Sequence, residues 1–227
     1  MSKTPTLART SLSALSAVFS AHLFNQARKV QLHAGQALFL VGDRGDGCYW
    51  VDDGLLKVHV VSQSGSDRIL AILGAGTIVG ELSMFDGAPR SASVTAIRAS
   101  SLSFVSRAAF ATTLDAHPEV YRELAIVLAH RLRDIDDAMA ATSFLSLKGR
   151  AARALLALAD AFGHDAGNGR IVIRQRVTHS DIAAMAGIVR ENFSRVMGDW
   201  IERSLVSREA GYYCVEKRSA LEREAEF

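Results

Sequence analysis

The stretch that decides the reading is Gly80-Glu81-Leu82-Ser83-Met84-Phe85-Asp86-Gly87-Ala88-Pro89-Arg90-Ser91-Ala92. Gly80 and Glu81 open a short turn whose backbone N–H groups can face an anion. Arg90 supplies a planar fork of donors and Ser91 a hydroxyl donor. One guanidinium with several N–H groups neutralises a single negative charge. A carboxylate beside an anion site needs another task, and Glu81 is suited to accept from a sugar hydroxyl. Together these residues select a nucleotide with a free ribose 2′-OH and a compact phosphate. The alternative is that Arg90 only pairs with Glu81 or Asp86.

On either side of this run the chain reads as short strands. Ten of its 17 glycines fall between Gly35 and Gly87. Between and after them lie the strand-like runs Ala37–Val41, Cys48–Val51, Leu55–Val61, Arg68–Leu73, Ser91–Ile97 and Ser101–Val105. Asp52-Asp53-Gly54 and Ser64-Gly65-Ser66 supply turns, so a small antiparallel barrel or sandwich is expected.

From Pro118 the period becomes helical. Tyr121, Leu124, Leu128, Leu132, Ile135 and Met139 recur at steps of three or four, and no Gly or Pro interrupts Glu119 to Lys148. A helix of about 25 residues is roughly 40 Å long. Its apolar stripe outruns one small barrel, which points to a partner helix from a second copy of the chain. The other reading is a single helix lying across its own domain. A further helix is expected after Gly149, with Leu147, Ala151, Leu155, Leu158 and Phe162 on one face. A loop is expected over Gly163–Gly169 and a strand over Arg170–Val177. Two short helices and a strand pair from Leu205 to Val215, turning at Ala210-Gly211, complete the chain. The domain boundary is placed between residues 138 and 146, with domains 1–117, 118–143 and 144–227.

Thr178-His179-Ser180-Asp181-Ile182-Ala183-Ala184-Met185-Ala186-Gly187-Ile188-Val189-Arg190-Glu191-Asn192-Phe193-Ser194-Arg195-Val196-Met197 has the texture of a helix-turn-helix. Thr178 is placed to cap the first helix, with Asp181 at its third position. Ile182 and Met185 face inward, Gly187 permits the tight turn, and Ile188, Phe193 and Val196 bury the second helix. Arg190, Glu191, Asn192, Ser194 and Arg195 are left near the start of that helix, where base edges are read. Arg can grip guanine O6 and N7, and Glu can accept from cytosine N4. Arg208 and Lys217, beside the last hairpin, suit phosphates.

Composition closes other routes. Two cysteines in 227 residues exclude a disulfide framework and four-cysteine zinc or iron–sulfur sites. Both fit ordinary thiols of a reducing cytoplasm. No apolar window is long enough for a membrane span, and Met1–Ser20 lacks the compact apolar core of a signal peptide. Residues 146–218 hold 12 Lys and Arg against 8 Asp and Glu, whereas residues 1–145 balance at 13 each. The basic excess thus sits on the helix-turn-helix segment. Gly74-Ala75-Gly76 with Gly80 has the wrong spacing for a dinucleotide loop, and no hydrolase or metalloprotease motif occurs. The seven histidines are scattered, so neither an enzyme nor a metal site is expected.

The Gly80–Ala92 run resembles the phosphate-binding cassette of cyclic-nucleotide-binding domains, and the whole chain resembles the Crp/Fnr family of bacterial transcription regulators, in pattern nearest to its cyclic-AMP-receptor branch. The resemblance implies an α+β fold: an N-terminal antiparallel β-roll, a long dimerisation helix and a C-terminal winged helix-turn-helix. It implies cyclic AMP, or cyclic GMP, held by Gly80, Glu81, Leu82, Arg90, Ser91 and Ala92. The positions that contact the base from the long helix are here Ile135 and Asp136, a departure from the family pattern. Ile135 can neither donate nor accept, while Asp136 can accept from adenine N6 or from guanine N1 and N2. Thr178, His179, Ser180, Arg190, Glu191, Asn192, Ser194 and Arg195 are the implied DNA-binding residues. Ser194 is the residue of the Fnr-like branch, which implies a half-site containing TGT or TGA. The implied partners are a palindromic double-stranded DNA operator, a second copy of the chain as homodimer, and RNA polymerase at the loop Phe162–Gly169. No membrane partner is implied, and the location is cytoplasmic. A regulator needing no ligand is the alternative. A regulatory module of an enzyme or channel would need a catalytic or membrane segment that the sequence lacks.

Overall fold

The computed structural model describes residues 22–24 and 27–226. The reading of Met1–Ser20 lies outside these. The chain divides into two compact units, one ending at Ala129 and the other beginning at His130.

Among the described residues the first unit holds eight strands: β1 (Arg28–Leu32), β2 (Ala37–Phe39), β3 (Gly47–Asp53), β4 (Leu55–Val61), β5 (Asp67–Gly74), β6 (Ile78–Val79), β7 (Ser93–Ala96) and β8 (Ser100–Ser106). They form two antiparallel four-stranded sheets, in the orders β1-β8-β3-β6 and β2-β7-β4-β5. Strand β3 is buried on both faces because two cores meet at it. Tyr49 and Val51 pack between the sheets with Leu56, Val94 and Leu102. Cys48 points the other way, toward Phe110, Leu114, Val120 and Leu124. These four come from the helices α2 (Arg107–Ala116) and α3 (Glu119–Phe144), which follow the short α1 (Leu82–Asp86).

Several expected elements change length, and some are new. The run Ala37–Val41 pairs only to Phe39, since Val41 N donates to Ser93 Oγ at 3.0 Å and Gly42 N to Arg90 O at 2.8 Å. The run at Ser91–Ile97 shortens to Ser93–Ala96. Strands β1 and β6 and helix α2 are not evident in the sequence pattern. Helix α2 is announced only by Ser106, whose side chain accepts from Ala109 N.

The expected stripe of α3 is not the buried face. Of its first three residues only Leu124 is buried, Leu128 is half-buried and Tyr121 is 47% exposed, because Val120 and Val127 pack on the roll beside Leu124. Beyond them Leu132, Ile135 and Met139 stand 59%, 57% and 67% exposed.

In the second unit, helix α4 (Leu147–Phe162) begins before Gly149, not after it, because the Ser146 side chain caps Gly149 N at 3.1 Å. Gly149 is needed for a close approach: a Cβ there would lie 2.8 Å from the Glu224 carbonyl. The expected loop at Gly163 opens instead with a strand, β9 (Gly163–Asp165), paired with β10 (Ile171–Ile173). The strand foreseen over Arg170–Val177 is accordingly shorter. Helices α5 (His179–Ala186) and α6 (Arg190–Glu202) follow, then β11 (Val206–Glu209), β12 (Tyr212–Val215) and α7 (Arg218–Glu224). The β11–β12 hairpin turns at Ala210 and Gly211, both with positive φ, in the sense that two-residue hairpins favour. The sheet order is β11-β12-β10-β9. Antiparallel sheets with segregated helices make the chain α+β, as the sequence implied.

A cluster of charges joins the C-terminal half of α3 to α4. Arg153 is 6% exposed, and its Nη2 lies 3.6 Å from Asp137 Oδ2. Burial first, and then the Asp137 carboxylate, push the Asp134 carboxyl up to about 7, against the pull of Arg153 and Arg131. The folded chain therefore keeps a proton that the unfolded chain releases near the ordinary value of 3.8. Between that value and about 7, stability falls as pH rises. Thermal unfolding of Asp134→Asn across this range is expected to show a flatter pH dependence than the parent chain.

Candidate nucleotide cradle and nucleic-acid interface

The cradle is built around one buried cation. Arg90 is 3% exposed. Its Nη1 donates to Gly80 O at 2.8 Å, and its Nη2 donates to Gly47 O at 2.8 Å and to Asp46 Oδ1 at 3.0 Å. Its Cζ lies 4.2 Å from the centre of the Phe39 ring. The main chain is pinned as well, with Arg90 N donating to Asp43 O at 2.8 Å. Arg107 secures the same loop from the far side, donating from Nη2 to Gly45 O at 2.9 Å and to Ser83 O at 2.8 Å. Gly80 has φ 84°, and a Cβ there would sit 2.5 Å from Arg90 Nη1. Only glycine meets both demands.

The carboxylate of Asp46 sits on the guanidinium, a contact that the sequence alternative, which offered Glu81 or Asp86, did not foresee. Asp86 Oδ1 instead accepts from Ala88 N at 2.9 Å. Asp46 and Phe39 are the residues that sequence reasoning missed; 44 positions separate Asp46 from Arg90, and no local pattern marks the pair. Glu81 is fully buried. Burial, followed by Glu81, drives the Cys48 thiol far above its ordinary range, leaving it a packing group. Leu82 and Ser91 are exposed and Ala92 is buried. Ile135 and Asp136 are exposed on the part of α3 that belongs to the second unit.

The donor set of this cradle suits a small anion. Arg90 Nε is buried without a hydrogen-bond acceptor among the described residues, and the Asp46 side chain on Nη2 is 64% exposed. A guanidinium N–H of this kind is a donor for an anionic oxygen.

The second site lies on α5 and α6. The Thr178 side chain accepts from Asp181 N at 3.1 Å, and Asp181 Oδ2 accepts from Thr178 N at 2.9 Å, closing the expected capping box. Gly187 ends α5 in the left-handed region with φ 62°. Helix α6 buries Phe193, Met197 and Trp200. Ile188, Met185 and Val196, expected inside, are only half-buried, because the larger Trp200 and Tyr213 fill the core. Arg190, Glu191, Ser194 and Arg195 are exposed, and Asn192 is half-buried.

Thr178, His179, Ser180 and Arg190 converge with Arg208 of β11 around one concave patch. His179 Nδ1 lies 3.0 Å from Ser194 Oγ, and its ring meets Phe193 edge-on and stacks on Tyr213. Burial, then Arg208 and Arg190, hold the His179 imidazole below its ordinary value, so it is neutral at pH 7. Hydroxyls, an imidazole and two arginines thus share one surface beside the start of α6.

Two family models match this chain. A cyclic nucleotide-binding domain covers residues 29–117, and a Crp-like helix-turn-helix domain covers residues 149–224. A CRP-like cAMP-activated global transcriptional regulator of Mycobacterium tuberculosis (strain CDC 1551 / Oshkosh) is 31% identical over 205 residues, 90% of this chain and 91% of the relative. The chain belongs to the Crp/Fnr family of transcription regulators. The Cyclic AMP receptor protein of Thermus thermophilus is 33% identical, covering 83% of each chain. A solved CRP/FNR-family transcriptional regulator, also from Thermus thermophilus, superposes with a TM-score of 0.72 at 26% identity, covering 88% of this chain and 99% of that one. Membership accounts for the pairing of a nucleotide-type roll with a winged helix-turn-helix in one chain. Among the described residues, no helix is long and apolar enough to cross a membrane.

For this regulator Gly80→Ala is a sharp probe. A left-handed non-glycine residue costs about 1–2 kcal/mol, and the new methyl displaces the Arg90 guanidinium. Thermal unfolding is expected to shift down while helical content, followed by circular dichroism, stays that of the parent.

Proposed function

We propose that this chain is a cyclic-nucleotide-gated DNA-binding regulator that acts in the cytoplasm as a homodimer on a palindromic operator. The observation that carries the proposal is Arg90, buried beside a glycine with φ 84°, with Nε lacking an acceptor among the described residues. In this reading the phosphate of the nucleotide takes Nε and competes with Asp46 for Nη2. Glu81 accepts from the ribose 2′-OH. Cyclic AMP is the proposed ligand, in keeping with the names of the relatives. Cyclic GMP is its competitor, because Asp136 can accept from guanine N1 and N2 as readily as from adenine N6. The exposed stripe of Leu132, Ile135 and Met139 supports pairing of two long helices, since an apolar row of this kind asks for a cover. Two recognition helices related by a two-fold axis then address half-sites about 34 Å apart. Loop Phe162–Gly169 is the proposed polymerase contact.

One observation favours the second reading, a regulator that needs no ligand. The Arg90 head already rests on two carbonyls, a carboxylate and an aromatic ring of its own chain. Calorimetry and gel shifts with cyclic AMP, with cyclic GMP and without nucleotide separate the two. Binding in the micromolar range, worth about 8 kcal/mol, that tightens operator affinity and disappears in Arg90→Gln supports gating. Equal operator affinity in all three conditions establishes the second reading.

Base readout has its own test. Arg195→Ala is expected to cost about 1–3 kcal/mol of discrimination at one base pair of the half-site, measured by competition between operator variants. An equal loss on operator and random DNA would assign Arg195 to phosphate contact.

A further inference from the structure

The seven histidines look scattered in the sequence, yet the fold joins two of them. His22, just before the roll, lies with its ring centre 3.8 Å from that of His117, and the planes tilt by 32°. His117 Nδ1 is 3.2 Å from Glu119 Oε1. One ligand atom from each of His22, His117 and Glu119 falls within 4.8 Å of the other two. We propose that these three side chains form a binding site for a divalent transition-metal ion, with zinc the ion that best suits two imidazoles and a carboxylate.

The distances agree with the chemistry. Zinc bonds to nitrogen and oxygen are about 2.0–2.2 Å, so neighbouring ligands of a tetrahedral ion lie roughly 3.3–3.5 Å apart. The His117–Glu119 edge is close to that length. Pro118 stands between those two residues and fixes its own φ. The Val120 N–H donates to His117 O at 3.0 Å and Tyr121 N–H to Pro118 O at 3.1 Å, so the backbone under the pair is held. His22 is exposed, with a ligand atom already within 4.8 Å of the other two. Its backbone cannot drift far, because Leu23 is 4% exposed in the same apolar cluster as Val120 and Leu124.

A hydrogen bond alone explains His117 with Glu119 but assigns no role to the second imidazole beside them. A metal ion ligated by both rings gives the second imidazole a partner. Three protein ligands leave a fourth position for water. A bound ion would tie the segment before β1 to the first turn of α3, closing a loop over the whole roll. The buried thiols and the engaged imidazole elsewhere do not offer an equivalent set. Cys48 and Cys214 are buried, and His59 is engaged by Asp67 and Thr95.

The test is a calorimetric titration of the full chain, stripped with chelator, with zinc ion alone near neutral pH. Saturation at one ion per chain is expected. His22→Ala and His117→Ala are each expected to weaken binding at least tenfold, and Glu119→Gln to weaken it less. His164→Ala, at an exposed position on β9, should leave it unchanged. Cobalt(II) gives a second readout, because a tetrahedral site with nitrogen ligands shows visible absorption that the His22→Ala chain should lose. His22→Ala changes an exposed side chain, so the test stands even if His117→Ala folds poorly. Absence of binding, or zinc affinity indifferent to both histidines, overturns the proposal.

Discussion

A guanidinium removed from water must find compensation for its lost hydration. In the first unit that demand is made by Arg90, and much of the local architecture answers it. The carbonyls of Gly80 and Gly47 turn inward toward it, Asp46 supplies a countercharge, and Phe39 lends its ring face. The loop from Asp43 to Gly47 is thereby tied to the turn before α1, and Arg107 fastens it a second time through Gly45 O and Ser83 O. The roll beneath needs to be rigid for this to hold. Strand β3, buried on both faces between the two sheets and the helices, provides that floor.

The second unit solves a different problem, the orientation of the helices of a helix-turn-helix. Helix α4 is buried along most of its length, and its many alanines let neighbours approach closely. Against it stand Phe193, Trp200 and Tyr213, all fully buried, which fix the roll angle of α6. With the aromatic residues inward, Arg190, Glu191, Ser194 and Arg195 are forced outward. The His179–Ser194 bond and the Arg208 side chain on the hairpin then complete the outer surface. The buried and the exposed residues are two faces of one helix, and the choice of the first decides the second.

Much of this was legible along the chain. Where a signal is local, the structure agrees: the Thr178–Asp181 capping box, the left-handed Gly187, the Ala210-Gly211 hairpin turn and strand β4 at Leu55–Val61. Where an element depends on a distant partner, the pattern is silent or misleading. Strand β9 lies in a glycine-rich stretch that reads as a loop and becomes a strand because Ile171–Ile173 lies beside it. Gly149 reads as a helix boundary and is a helical residue chosen for contact with Glu224. The short strands β1 and β6 are too brief for a period to emerge, and β1 gains its place from pairing with β8.

The sequence by itself determined the types of the elements with a clear local period or cap, such as β4 and α5, the positive charge at position 90, the glycine ten residues before it and the outward residues of α6. These follow from φ/ψ preferences, capping chemistry and helical period, all of which act over a few residues. Tertiary structure alone decided that Asp46 reaches the Arg90 guanidinium, that His179 meets Ser194, and that His22 meets His117. Such pairings join positions far apart in the chain. They are selected by which sheets and helices can bury their apolar faces together, and only the packed chain expresses that requirement.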